Sequence, residues 1–148
     1  ENSFKDNINV NLIAVYNITK RISENMKKKG GSVINITSLN AELGFSNNPG
    51  YVSSKGGLKL LTKSFCLDYA KYKIRFNNLG PGYIKTKMTR KKYLNLKERK
   101  KRIDRIPLRR YGNPYDLIGP VLFLMADASS YMTGQDLYVD GGFLAKGI

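Results

Sequence analysis

The chain has 148 residues, 41% of them apolar and 25% charged, the balance of one globular domain able to bury a core and unlike that of a disordered segment. No run approaches the ~18 consecutive apolar residues of a membrane span, no stretch has the layout of a secretory leader, and with no His and one Cys, Cys66, neither a disulfide framework nor a zinc or haem ligand set can be assembled. The net charge of +15 would ordinarily raise nucleic acid or an anionic surface as partner, but 13 of the 26 Lys and Arg fall between Lys85 and Arg110 against two acids, Glu98 and Asp104, so the electrostatic argument belongs mainly to that segment.

In chain order, Ile8, Leu12, Val15, Tyr16, Ile18, Ile22 and Met26 recur mostly at three- and four-residue intervals, as on one face of a helix, and Lys27-Lys28-Lys29 followed by Gly30-Gly31 supply a cationic last turn and a glycine stop. Ser32 to Thr37 is short and β-branched, as a buried strand is, with Ser38 just past its carboxyl end. A loop containing Asn47-Asn48-Pro49-Gly50 leads to a helix from about Tyr51 to Tyr69 with an apolar side of Leu58, Leu61, Phe65 and Tyr69. Ile74 to Leu79 reads as a second strand stopped by Gly80-Pro81-Gly82, and the basic segment as a helix from about Thr89 to Arg105 with Tyr93, Leu96, Ile103 and Ile106 toward the protein. Asn113-Pro114 opens a further helix, Asn as cap and Pro in the first turn, with Gly119-Pro120 weakening its start. Asp136 to Asp140 is the last strand. Strands alternating with helical crossovers predict an α/β fold with a parallel sheet, in one domain over 1–148.

Tyr51 and Lys55 are four residues apart, on one helix face and about 6 Å apart along the axis. An ammonium beside a phenol favours the phenolate, so such a tyrosine can exchange protons nearer neutral pH. Asn47-Asn48, Asn77-Asn78 and Gly141-Gly142 read as turn and strand-end residues. Cys66 reads as core, since no His exists to activate it.

The order Ile36-Thr37-Ser38, Tyr51-Val52-Ser53-Ser54-Lys55 and Gly80-Pro81-Gly82-Tyr83-Ile84-Lys85-Thr86 resembles the short-chain dehydrogenase/reductase family, as do Asn11 in Val10-Asn11-Leu12 and the closing stretch from Thr133-Gly134-Gln135 to Asp140-Gly141-Gly142. The resemblance implies a doubly wound, Rossmann-like fold and a hydride exchange between NAD or NADP and a small alcohol or ketone. It implies Tyr51 as catalytic acid/base, Lys55 as its electrostatic support and ribose contact, and Ser38 as hydrogen-bond donor to the reacting oxygen. Asn11 would hold a water leading from Lys55 to solvent, and Pro81, Gly82, Ile84 and Thr86 would line the nicotinamide end. A homo-oligomer, dimer or tetramer, through the two long helices is also implied, while the single cysteine suits a reducing compartment and so a cytoplasmic location.

The family's Gly-rich phosphate turn has no counterpart here, so the amino-terminal, dinucleotide-gripping half is expected to be absent and the chain inactive alone. By the same resemblance residues 86–110 form a basic lid over the substrate, whose charge suits an acidic sugar, a nucleotide-linked sugar or an acyl chain on an acidic carrier protein; a plain solvated helix accounts for the same charge, and the wording around Tyr51 and Tyr83 leans to sugar-acid and surface-glycan members. Two other readings stay open: a nucleic-acid-binding module using the basic segment with Tyr83, Tyr93 and Tyr111, and a catalytically silent member acting as a binding subunit.

Overall fold

In the computed structural model, which describes residues 2–146, the amino-terminal apolar repeat forms three consecutive helical segments. These are α1 (Asn2–Ile8), a π-helical stretch (Asn9–Ile13) and α2 (Ala14–Met26). The Ala14 amide reaches back five residues to the Asn9 carbonyl, the wider turn that marks a π segment. The Gly30 amide closes the end of α2 on the Met26 carbonyl at 2.8 Å with a positive φ of 71°, as the glycine stop anticipates.

Strand β1 (Gly31–Ile36), helix α3 (Pro49–Tyr69) and strand β2 (Ile74–Pro81) follow. Two short helices, α4 (Arg90–Leu94) and α5 (Leu96–Ile103), precede α6 (Ile118–Met125) and strand β3 (Asp136–Val139). The three strands are parallel in the order β1-β2-β3, with Asn35 beside Asn78 and Asn78 beside Asp136. The α/β expectation holds.

Strand pleat decides which helix lies on which face. Phe76 and Asn78 point toward α3, where Phe76 stacks on Phe65 at 5.5 Å and Asn78 meets Thr62. Ser32 and Arg75 point the other way and donate to the Leu124 carbonyl at the end of α6, at 2.7 and 2.9 Å. The sheet is therefore covered by helices on both faces. The main apolar cluster, Phe65, Tyr69, Ile74 and Phe76, sits between α3 and the sheet, with Cys66 packed against it. A second one, Leu39, Ile106 and Phe143, closes the carboxyl end of the strands.

Four sequence expectations need correction. Asn77 and Asn78 are fully buried in mid-strand and not turn residues. Each amide has partners that only the fold brings near: Asn77 donates to the Met132 carbonyl at 2.9 Å and accepts from the Gln135 amide at 3.0 Å, and Asn78 donates to Asp136 at 2.8 Å and accepts from Thr62 at 2.7 Å. Strand β2 runs on through Gly80 and Pro81, since at the strand end Pro81 needs no ladder donor of its own. The basic segment is broken at Asn95, whose backbone is extended and whose side chain accepts from the Glu98 amide at 3.0 Å, so a new helix start wins over continuation. Leu96, expected to face the protein, is 69% exposed.

The Asn113 cap is present and reciprocated by Asp116, but the first turn, Pro114–Leu117, is a tight 3-10 turn before α6 begins. Pro120 then falls in the first turn of α6, where the missing N–H costs nothing. No helix among the described residues is long and apolar enough to cross a membrane.

Candidate active site

The site begins with an approach of two helices. A Cβ on Gly50 would stand 2.8 Å from the Phe4 Cα, so the glycine at the start of α3 lets α1 come against it. The Asn7 and Asn11 side chains are thereby set beside the turn carrying Tyr51 and Ser54. Asn11 Nδ2 donates to the Ser54 hydroxyl and to Asn7 Oδ1, both at 3.2 Å, and Ser54 donates to the Tyr51 carbonyl at 2.8 Å.

Ser38 follows the end of β1 in extended backbone and caps the short turn Leu39–Ala41, its Oγ accepting from the Asn40 amide at 3.3 Å. That turn is clamped from outside, because Glu42 accepts from both Lys59 on α3 and the Tyr138 hydroxyl on β3, the latter at 2.7 Å. Both contacts hold the Glu42 carboxyl below its ordinary range.

Lys55 lies one turn beyond Tyr51. Its ammonium donates to the Ile36 carbonyl at 2.8 Å and stands 5.7 Å from the centre of the Tyr51 ring. Burial pulls the Lys55 ammonium below its ordinary value, because removing an ammonium from water disfavours its charged form.

Asn11, Ser38, Tyr51 and Gly82 line one cleft of about 440 Å³, within the ~300–1,000 Å³ usual for small-molecule sites. The remaining sequence candidates, Lys55, Pro81, Ile84 and Thr86, do not line it: Ile84 lines a separate pocket with Leu108 and Gly112, and Thr86 another with Lys85 and Tyr93. Gly82 itself is required by the sheet, since a Cβ there would stand 2.6 Å from the Asp140 Cα. Pro81 pairs with Val139 in the sheet. The Ile84 side chain is buried and turned toward Gly112, while its carbonyl accepts from the Thr89 hydroxyl at 2.6 Å. Thr86 is exposed, and its amide donates to that same Thr89 hydroxyl at 2.9 Å.

The cleft also takes in residues that no motif singled out, among them Asn7, Asn40, Lys92 and Arg102. The Asn7/Asn11 pair at helical spacing was a signal available in the sequence; the choice of Arg102 among so many basic residues was not. Tyr83 and Tyr93 both pack on the buried Tyr111, with ring centres 5.7 Å and 5.2 Å away, so that the rings inside and flanking the basic segment meet.

Comparison with known proteins bears on the family and the fold. A family model described as enoyl-(acyl carrier protein) reductase matches residues 1–144. The 2-dehydro-3-deoxy-D-gluconate 5-dehydrogenase of Formosa agariphila is 38% identical over 144 residues, covering 96% of this chain and 54% of that protein. The 3-oxoacyl-(acyl-carrier-protein) reductase of Thermotoga maritima is 41% identical over 141 residues, covering 93% and 55%. A gluconate 5-dehydrogenase from Burkholderia cenocepacia, solved in complex with NADP and tartrate, superposes with a TM-score of 0.95 at 33% identity, covering 98% of this chain and 57% of that one. The chain thus spans little more than half the length of these relatives. With Ser38, Tyr51 and Lys55 gathered at the carboxyl end of the sheet and the family match running from residue 1 to residue 144, the chain belongs to the short-chain dehydrogenase/reductase family.

Proposed function

We propose that this chain carries the proton-transfer part of an oxidoreductase that exchanges a hydride between NAD or NADP and an alcohol or ketone. The observation that carries the reading is the placement of Ser38 and Tyr51 on the wall of one cleft, with Lys55 fixed behind Tyr51 by the Ile36 carbonyl.

The donor set suits the ribose and nicotinamide end of such a cofactor. Lys55 has three N–H groups and spends one on Ile36; no other hydrogen bond of its ammonium is found among the described residues. The ammonium lies at the carboxyl end of β1, on the carbonyl of its last residue, where doubly wound sheets take their ligands. When bound, the cofactor supplies or accepts the hydride. In reduction the Tyr51 hydroxyl gives its proton to the carbonyl oxygen, and in oxidation the same oxygen receives the proton of the alcohol. The Ser38 hydroxyl donates to the reacting oxygen, where a fixed donor is worth most as negative charge grows. Asn11 acts on this group through Ser54 and the Tyr51 backbone.

The proposed substrate is a polyhydroxylated acid, in keeping with relatives named for gluconate derivatives. Exposed apolar residues on the outer faces of the long helices, Val10, Ile18, Leu60 and Leu67, suit the homo-oligomer implied by the family. Against the nucleic-acid reading stands the packing of Tyr83 and Tyr93 on the buried Tyr111.

The test is turnover with NAD and NADP over a panel of sugar acids, polyols and acyl ketones. The 148-residue chain alone is expected to be silent, and a version extended to the relatives' length active. In the active form Tyr51→Phe keeps the ring beside Lys55 and removes the proton, with an expected loss of at least ~100-fold in kcat. Unchanged turnover by Tyr51→Phe would overturn the reading.

A further inference from the structure

We propose that Arg102 is the specificity-determining residue of this site, and that it selects an acidic substrate by holding its carboxylate while the carbinol carbon stands at Ser38 and Tyr51. The inference rests on the oxidoreductase reading for the position of the reacting carbon and on the cleft alone for the carboxylate.

Of the 13 basic residues between Lys85 and Arg110, only Lys92 and Arg102 line the cleft that holds Ser38 and Tyr51. No Asp or Glu lines it among the described residues, and its other polar walls are amides and hydroxyls such as Asn7, Asn40, Asn48 and Thr89. An anion with many hydroxyls matches those polar walls and a cation does not, while Leu39, Phe45 and Met88 supply the apolar remainder of the lining.

Arg102 differs from the solvated lysines around it. Its side chain is only 17% exposed, and its guanidinium lies 4.9 Å from the centre of the Tyr83 ring. Tyr83 is itself braced, edge-on against Phe143 at 5.4 Å and beside Tyr111 at 5.7 Å. The platform is therefore rigid, and Tyr83 adjoins Gly82 on the cleft wall. Stacking on an aromatic face leaves the edge of the guanidinium, with its N–H donors, free to point elsewhere.

Those donors are largely unspent. The one ion pair of Arg102 among the described residues is with Glu98 at 3.7 Å, beyond hydrogen-bond distance, and Glu98 is the more exposed partner at 46%. A guanidinium withdrawn from water with its fork unfilled carries a desolvation cost that a carboxylate would offset through two parallel hydrogen bonds. Lys92, exposed, adds attraction at longer range. Lys85 and Arg99, by contrast, both sit on Tyr93, at 4.9 and 5.3 Å, and neither lines the cleft.

The deciding experiment is a binding titration of the chain with gluconate and with sorbitol, which has the same six-carbon skeleton and an uncharged hydroxymethyl group in place of the carboxylate. The wild-type chain is expected to prefer gluconate by roughly tenfold or more at low salt. Arg102→Gln should bring the two ligands to within about twofold, and Arg102→Lys should recover only part of the preference, because the charge remains without the fork. Glu98→Gln, which leaves the cleft lining and the Tyr83 stack intact, should tighten gluconate binding and leave sorbitol unchanged, a check that does not depend on the folding of an Arg102 variant. Equal binding of the two ligands by the wild type, or a preference that survives Arg102→Gln, would sink the proposal. Because the readout is binding, a chain that discriminates while the version extended to the relatives' length fails to turn over keeps Arg102 and loses the oxidoreductase reading, and an extended version that turns over polyols and acids alike does the reverse.

Discussion

Asn11 is bonded to Ser54 at 3.2 Å, and through it to the backbone of Tyr51. Lys55 is tied instead to β1, so the Tyr51–Lys55 turn is gripped from two independent directions. Asn11→Ala is therefore expected to lower stability by about 1 kcal/mol as well as to slow turnover, and a thermal melt will show it. A variant that melts like the wild type but turns over slowly would point to the water-holding role alone.

The fully buried Thr62 accepts from Asn35 at 2.8 Å and donates to Asn78 at 2.7 Å. Thr62→Val keeps the shape but strands two buried amide groups, with an expected loss of about 2–3 kcal/mol. The urea midpoint should fall, with the slope unchanged.

The clamp on the Ser38 turn has a definite pH window. Glu42 is held below its ordinary 4.5 by the Lys59 and Tyr138 hydrogen bonds. Its contribution is thus full above about that value and is lost as pH falls through the depressed folded value. For Lys59, burial works against the charge but Glu42 and Asp136 outweigh it, and the net shift is upward from 10.5. That contribution is full below 10.5 and disappears as pH rises through the raised value. Glu42→Gln should flatten the acid limb of a stability-against-pH curve while leaving neutral pH less stable than wild type.

Gly82→Ala would drive a methyl group into the Asp140 backbone, 2.6 Å away. An expected cost of about 1–3 kcal/mol, read by chemical denaturation, would show that this glycine serves the joining of β2 to β3 whatever else it serves.

How far the sequence could be read depended on where each residue finds its partners. The apolar stripe of α3, Leu58, Phe65 and Tyr69, was legible because burial on one face imposes the helical period directly. Asn77 and Asn78 were not, because a pair of amides is locally a turn signal and their compensating partners, Thr62, Met132, Gln135 and Asp136, lie far off in the chain. The break at Asn95 was hidden for the opposite reason, since the period of Tyr93, Leu96 and Ile103 suggested one helix while a single capping side chain ends it. In the site, Ser38, Tyr51 and Lys55 were recognisable from their order. Arg102 was one cation among thirteen until Tyr83 singled it out.

The π stretch in the first helix also fixes a length. Phe4 abuts Gly50 and Leu12 abuts Gly57, where a Cβ would stand 2.8 and 2.9 Å from them. The two glycines are seven residues apart and return to nearly one side of α3 after two turns, but Phe4 and Leu12 are eight apart, which at ~100° per residue overshoots two turns by ~80°. The wider turn at Asn9–Ile13 gives back most of that excess. The two helices are thus phased like meshed gears of unequal tooth count, and deleting one residue between Phe4 and Leu12 should trade the π turn for an ordinary one at little local cost, whereas adding one would swing Asn7 out of the cleft.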